Sequence, residues 1–174
     1  MTEDVILVDE EDNKIGTEEK MAAHKKGLLH RCFSILIFND QKELLLQQRA
    51  LSKYHTPGLW SNTVCSHQRP GEETILAAHR RLQEEVGFDC EVKELFTFTY
   101  KAPFTNGLTE HEYDHVVVGS YNGEVKFNPD EVAAIRWVSL DKVKEEMAGN
   151  PENFTPWFKI LIDKHFDKFQ TALK

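Results

Sequence analysis

Apolar and polar positions change period several times along the chain, and each change marks an element. Val5-Ile6-Leu7-Val8 is a short apolar run that predicts a strand, and Glu11-Asp12-Asn13-Lys14 predicts the turn of a hairpin. Thr17 to His24 predicts a short helix with Thr17 as N-cap. His30 to Phe38 and Glu43 to Gln48 are apolar runs around the turn Asn39-Asp40-Gln41-Lys42, hence a second hairpin with a largely buried face. A polar loop from Arg49 to Leu59, broken by Pro57-Gly58, leads to a short extended stretch, Trp60 to Ser66. From Glu72 to Val86 the spacing turns helical, with Ile75, Leu76, Ala78, Leu82 and Val86 as its apolar side and Gly87 as C-cap. Glu91 to Lys101, Glu112 to Tyr121 and Ala134 to Val138 predict strands, and Ser139 caps a short helix to Met147. Thr155-Pro156-Trp157 opens a C-terminal helix with proline at the tolerated first position, and Phe158, Leu161, Ile162, His165, Phe166 and Phe169 give its apolar side. Strands interspersed with a few helices indicate an α/β or α+β fold, with helices packed on a mixed sheet.

Composition narrows the function classes. The 174 residues carry no repeat, low-complexity tract or Gly/Ser/Pro linker, so one domain over 1–174 is expected. A net charge of −8 argues against nucleic acid or an anionic membrane surface as a general partner. An anionic ligand would therefore need a local cluster of Lys and Arg. No apolar run approaches the roughly 18–20 residues that cross a bilayer. The N-terminal stretch MTEDVILVDEED is acidic and lacks the basic region of a secretory signal. Three cysteines at irregular spacing (Cys32, Cys65 and Cys90) fit a reducing, cytoplasmic setting better than a disulfide framework. Cys32 and Cys90 sit in strand-like context as small buried hydrophobes. Only Cys65 has reactive neighbours.

Cys65-Ser66-His67 sets a thiol and an imidazole two residues apart, and Glu110-His111-Glu112 repeats that spacing with two carboxylates. On extended backbone, residues i and i+2 share a face, and His111 points away from the face of Glu110 and Glu112. Two such strands facing one pocket present a set that binds a hard or borderline metal and still keeps a thiol for proton transfer.

The helix ending at Gly87 reads Glu72…Arg80-Arg81-Leu82-Gln83-Glu84-Glu85-Val86-Gly87-Phe88. Its pairs Arg80/Glu84 and Arg81/Glu85 have i,i+4 spacing, which by itself describes a solvated, salt-bridged face. The order also resembles the Nudix box, G-x5-E-x7-R-E-U-x-E-E-x-G-U, with Glu72, Arg80, Glu84, Glu85 and Gly87 in place. Two positions depart: the first glycine falls on Ser66, and the glutamate after the arginine is Arg81. In Nudix hydrolases that glutamate belongs to the acidic metal cluster that activates water, so its loss points to a relative with changed chemistry. Thr17-x-x-Lys20-x-x-x-His24, Arg49-Ala50-Leu51-Ser52-Lys53, Pro57-Gly58-x-Trp60-x-Asn62-x-x-Cys65-x-His67, Glu110-x-Glu112 and Thr155-Pro156-Trp157 follow in order. Together they resemble the type 1 isopentenyl diphosphate isomerases, from about Val5 to Leu161.

That resemblance implies a Nudix fold, a mixed β-sheet sandwiched between helices. It implies reversible isomerisation of isopentenyl diphosphate to dimethylallyl diphosphate by protonation and deprotonation. It assigns a divalent ion to His24, His30, His67, Glu110 and Glu112, a donor set that suits Mn²⁺ or Mg²⁺ and admits Zn²⁺. His55, His79, His111 and His115 are the alternative imidazoles. Cys65 is implied as the proton carrier on one side of the carbon skeleton, and Glu112 with Tyr100 on the other; Tyr100 serves equally as a core aromatic. Trp157 is implied to stabilise a tertiary cation through its ring face, worth on the order of 1–2 kcal/mol in a dry site, and also suits the core. Lys20, Arg49, Lys53 and Arg81 match phosphate-binding positions, and Glu85 with the backbone carbonyl of Cys65 a second, diphosphate-bridging Mg²⁺. A monomer or weak homodimer is expected, and the loop from Phe104 to Thr109 is either a lid or plain surface. The competing readings are a Nudix hydrolase of another diphosphate and a non-enzymatic metal-binding module.

Overall fold

The computed structural model describes residues 3–104 and 106–174. The first hairpin consists of β1 (Asp4–Val8) and β2 (Lys14–Glu19). Asp9 closes it, its Oδ1 accepting from the backbone N–H groups of Glu11 and Asn13 at 2.9 Å. The helix expected from Thr17 begins later: α1 is Lys20–Lys26, and its N-cap is Glu19, which accepts from the N–H groups of Met21 and Ala22. Thr17 lies opposite Ile6 in the β1–β2 ladder. A β-branched residue there gains ladder pairing, and tertiary pairing overrides a local capping preference.

The expected second hairpin is β3 (His30–Phe38) and β4 (Glu43–Arg49), with Asn39 Oδ1 accepting from the N–H groups of Gln41 and Glu43 at its turn. The extended stretch after the polar loop is two short strands, β5 (Trp60–Ser61) and β6 (Val64–Ser66). Then come α2 (Thr74–Val86), β7 (Val92–Pro103), β8 (Thr109–Ser120), β9 (Val132–Ser139) and α3 (Leu140–Gly149), the last capped by Ser139 as expected. A 3₁₀ turn at Pro151–Asn153 leads to α4 (Pro156–Ala172), with Thr155 as N-cap. β8 starts at Thr109 rather than Glu112, because β7 runs on to pair Ala102 with Glu110 and Pro103 with Thr109.

Among the described residues, nine strands form one mixed sheet. Its axis is β3, parallel to β8 from the pair His30/Glu112 to the pair Phe38/Ser120 and antiparallel to β6. β7 pairs with β8, and β4 carries β5 and β9. Alternation along β3, β4 and β8 divides the apolar side chains between two layers. Phe33, Ile35, Ile37, Leu45 and Val117 pack against α2. Leu36, Phe38, Leu44, Leu46, Val116 and Val118 pack against α3 and α4. The sheet is sandwiched between helices, an α+β arrangement. α4 buries Trp157, Phe158, Leu161, Ile162, Phe166 and Phe169, each worth about 1.5–3 kcal/mol on burial.

α2 begins at Thr74, and Glu72 remains outside it to grip Arg80 at 2.7 and 2.8 Å. Leu76, expected on the apolar side, is 59% exposed, and Ala77 is buried instead. Six residues before Leu82 is about 240° around a helix turning ~100° per residue, so Leu76 falls off the face that Ala78, Leu82 and Val86 define. Gly87 ends the helix at φ 73°, in the left-handed region, and a Cβ there would meet the Lys126 carbonyl oxygen at 2.2 Å. Gly71 has φ 81° with open space around it. Gly71→Ala should therefore destabilise the protein by about 1–2 kcal/mol, and Gly87→Ala by clearly more, since backbone must move. Urea unfolding of the two variants tests this, and equal losses would contradict it.

Candidate active site

One end of the sheet gathers the polar residues. Tyr100 on β7, Glu112 on β8 and His30 on β3 stand in one cross-strand row, Glu112 pairing with both of the others. Glu110 lies on the same face of β8, while His111 turns away and sets its Nδ1 3.1 Å from the Gly27 carbonyl oxygen. α1 brings His24, and the chain leaving β6 brings His67. His24, His30, His67, Glu110 and Glu112 place one donor atom each within 4.8 Å of one another. Nε2 of His30 and Nε2 of His67 are 3.3 Å apart, and they lie 3.3 and 3.2 Å from Glu112 Oε1. Nε2 of His24 is 3.3 Å from Glu110 Oε1.

Protonation of these rings follows from their other partners. His24 Nδ1 lies 2.6 Å from the Lys20 carbonyl oxygen, and His30 Nδ1 2.8 Å from that of Leu28. A carbonyl only accepts, so each Nδ1 carries a proton, and each Nε2 faces the carboxylates, as a donor when the ring is also protonated there and as a lone pair when a cation takes that place. Lone pairs facing two carboxylates in a dry space repel unless a cation lies among them. His24 Nε2 and Glu110 Oε2 are both buried without a hydrogen-bond partner among the described residues. Three nitrogens and two carboxylates fit a divalent cation in type, number and orientation.

The remaining reactive groups line one cavity beside this cluster. Tyr100 donates its hydroxyl to Glu112 Oε2 at 2.8 Å. Burial pushes the Glu112 carboxyl up, but the imidazoles of His30 and His67 outweigh it and hold the group well below the usual carboxylate range. Burial and the Glu112 charge push the Tyr100 phenol far up. Burial, with Asp114 nearby, pushes the Cys65 thiol up to about 12. At neutral pH Cys65 is a thiol and Tyr100 a phenol. The Cys65 thiol donates to Asn62 Oδ1 at 3.1 Å. Asn62 Nδ2 donates to the carbonyls of Ile35 and Val64, which fixes the amide's orientation. Ser61 donates to the same Asn62 Oδ1 at 2.9 Å and accepts the indole N–H of Trp157 at 2.9 Å. One chain of hydrogen bonds thus joins the thiol to the indole. Trp157 and Tyr100 pack in the core and line the cavity at once.

Lys20, Arg49, Lys53 and Arg81 also line the cavity, as the need for a local basic cluster requires. Each already has an anionic or aromatic neighbour. Lys20 pairs with Glu3 at 3.0 Å, Lys53 with Glu131, and Arg81 with Glu84, Glu85 and Glu131 at 2.6, 3.1 and 3.3 Å. Arg49 sits 5.3 Å over the Trp157 ring. Glu85 is buried beneath Arg81 and accepts from Gln47 Nε2 at 3.3 Å, and the same nitrogen donates to the Thr63 carbonyl near Cys65. Burial raises the Glu85 carboxyl against the pull of Arg81.

Of the alternative imidazoles, His79 pairs with Asp89 and His115 with Asp12 and Glu94, away from the cluster. His55 lines the cavity. Of the loop from Phe104 to Thr109, Thr105 lies outside the described residues, and Phe104 places its ring 5.4 Å from that of His55. Sequence reasoning missed Ser34, Asp114, Glu3 and Glu131. Ser34 donates to Asp114 Oδ2 at 2.6 Å and lies 3.6 Å from the Cys65 sulfur. Asp114 continues the same-face series Glu110, Glu112, and extending that period by one step would have found it. Glu3 and Glu131 carry no such signal.

Comparison with known proteins places the geometry in a lineage. The NUDIX domain model matches residues 28–158. A curated isopentenyl-diphosphate Delta-isomerase of Burkholderia multivorans is 51% identical over 164 residues, 94% of this chain and 93% of that protein. A second, from Serratia proteamaculans, is 50% identical over 93% of this chain and 90% of that protein. Among solved structures, a Deinococcus radiodurans protein superposes with a TM-score of 0.71 at 21% identity, covering 84% of this chain and 90% of its own. A MutT protein from Methanosarcina mazei gives 0.65 at 20% identity, covering 84% and 96%. Those two show the fold alone, whereas the curated relatives share half of their residues over nearly full length. The chain belongs to the Nudix family and, within it, to the isopentenyl-diphosphate Delta-isomerases.

Proposed function

We propose that this enzyme interconverts isopentenyl and dimethylallyl diphosphate by exchanging protons between Cys65 on one flank of the substrate and Glu112 with Tyr100 on the other. The observation that carries this reading is geometric: Cys65, Glu112, Tyr100 and Trp157 line one cavity, with Tyr100 donating to Glu112 at 2.8 Å and Asn62 aiming the Cys65 thiol at 3.1 Å. One proton is added at the terminal alkene carbon and another leaves the methylene beside the tertiary carbon, so the substrate's composition is unchanged. The enzyme ends a turnover with a proton moved from one flank to the other, and exchange of protons with solvent returns both groups to their starting states for the next turnover. Trp157 offers its ring to the tertiary cation-like centre, and the Ser61–Asn62 bridge keeps that ring in register with the thiol.

Lys20, Arg49, Lys53 and Arg81 hold the diphosphate, Arg by paired donors and Lys as a point charge. His24, His30, His67, Glu110 and Glu112 would hold Mn²⁺, Mg²⁺ or Zn²⁺, and Glu85 with the Cys65 carbonyl would hold a second Mg²⁺ that offsets the diphosphate charge. The first ion, when bound, fixes Glu112 and lowers the energy of negative charge on it. The chain works as one domain, a monomer or weak homodimer, in the cytoplasm. No helix among the described residues is long and apolar enough to cross a membrane. A Nudix hydrolase reading is disfavoured by Arg81, which stands among Glu84, Glu85 and Glu131 where hydrolysis needs a further carboxylate.

Metal-loaded protein should equilibrate the two diphosphates in an NMR assay and stop on addition of EDTA. Cys65→Ala should lose about 10²–10⁴ in kcat, the range for a proton-transfer group. Undiminished isomerisation by Cys65→Ala would refute the assignment. Phosphate release that persists in Cys65→Ala and vanishes in Glu85→Gln would favour the hydrolase.

Thiol chemistry gives an independent check. A thiol at about 12 is roughly 10⁻⁴ ionised at pH 8, about 10³ less than an ordinary cysteine. Iodoacetamide should therefore modify Cys65 slowly at pH 8, faster as pH rises toward 12, and at the ordinary rate in denaturant, all followed by mass spectrometry. Ordinary reactivity in the folded protein at pH 8 would show that Cys65 is not held as a neutral thiol.

A further inference from the structure

His55 lies within the cavity wall yet outside the five converging donors, and it touches both halves of the site. Its Nδ1 is 3.3 Å from Nη2 of Arg49, and the same guanidinium nitrogen lies 3.4 Å from the His55 carbonyl oxygen. Its Nε2 is 2.5 Å from Glu110 Oε1. Guanidinium has no lone pair to give, so Nδ1 must be the acceptor of that contact and the ring proton must sit on Nε2. A protonated Nε2 against a carboxylate oxygen is a donor, which excludes that nitrogen as a metal ligand in the same arrangement. Glu110 thereby has one oxygen, Oε1, engaged by His55 and also 3.3 Å from His24 Nε2, and its other oxygen, Oε2, buried without a hydrogen-bond partner among the described residues.

We infer that His55 is a positioning residue for the metal site: it anchors the Glu110 carboxylate beside the other four converging donors, and Arg49 in turn holds His55. The order Arg49–His55–Glu110 links a diphosphate-binding cation to a metal ligand through one imidazole. Metal occupancy then depends on a residue that contacts the substrate's charged end, without any movement of the sheet. The inference rests on the reading of Glu110 as a metal ligand. Packing alone would be a competing role, since the His55 ring also lies 4.2 Å from Tyr54, 5.4 Å from Phe104 and 5.7 Å from Trp157.

Two substitutions separate packing from hydrogen bonding. His55→Phe keeps a ring and loses both polar contacts; His55→Gln loses the ring and keeps an N–H donor at nearly the distance of Nε2. Binding of Mn²⁺ alone to metal-free protein, read from the free-ion EPR signal, should weaken 10–100-fold in His55→Phe and by no more than about threefold in His55→Gln. Arg49→Met should weaken it as well, and Arg49→Met combined with His55→Phe should be no weaker than His55→Phe alone, because Arg49 acts through His55. Unaltered Mn²⁺ affinity in His55→Phe, equal losses in Phe and Gln, or additive losses in the double variant would each overturn the inference. Glu110→Gln is the control for the underlying site: if it binds Mn²⁺ as tightly as the unaltered protein, the assignment of Glu110 as a ligand fails, and the role of His55 with it.

Discussion

Three imidazole nitrogens and two carboxylates converge with donor atoms within 4.8 Å of one another, an arrangement that a divalent cation would make favourable. The architecture around it supplies those donors from four separate elements, and each is fixed by backbone rather than by surface side chains. His24 is held by the helical carbonyl of Lys20 and His30 by that of Leu28. Glu112 takes its position from the parallel pairing of β3 with β8, and His67 from the short strand that pairs with β3 on its other side. Binding free energy at such a site adds to folding free energy, since the unfolded chain holds no such cluster.

In the proposed reading Glu112 is where metal binding and proton transfer meet, with one of its two oxygens for each task. Oε1 faces His30 and His67, while Oε2 accepts the Tyr100 hydroxyl. A metal ligand that also receives a proton would ordinarily face a conflict, because protonation weakens ligation. Assigning one oxygen to each task removes it. Cys65 stands in the opposite condition, a half-buried thiol that desolvation keeps neutral and that Asn62 aims. Environments that push two titratable groups in opposite directions create a donor and an acceptor from residues that would otherwise titrate within a few pH units of each other.

Much of this was legible from period and order. The same-face rule placed Glu110 with Glu112 and turned His111 away, and the two-residue step from Cys65 to His67 led to the same cavity. Helices packed on a mixed sheet followed from helices interspersed with strands, and the sandwich from the resemblance to the Nudix box. Boundaries were less visible, for identifiable reasons. Thr17 carries a capping signal that pairing with Ile6 overrides, and Leu76 fits a loose apolar count but not the angle set by Ala78, Leu82 and Val86. Glu3 and Glu131 were invisible because nothing local distinguishes a carboxylate that meets a distant lysine from one that meets water. His55 stood only as one imidazole among several, since its bond to Glu110 spans a sequence separation that no pattern covers.

Arg81 shows how one position redirects an inherited scaffold. In the Nudix box a carboxylate follows the conserved arginine; here a guanidinium stands there, surrounded by Glu84, Glu85 and Glu131. Keeping a fourth carboxylate in that half-buried space would add like-charge repulsion that only more metal could offset. A guanidinium instead neutralises the cluster and, in the proposed reading, would leave Glu85 for a single ion and present fixed donors toward a diphosphate. Pairing before substrate arrives also has a consequence for selectivity. Lys20, Lys53 and Arg81 are already paired with Glu3, Glu131 and Glu85 respectively, so a singly charged anion gains little by displacing them. A diphosphate, with about three charges and oxygens that reach several cations together, gains enough to exchange with these carboxylates. An acidic protein can thus hold a strongly anionic substrate: its own carboxylates keep the cations in place until a ligand of higher charge replaces them.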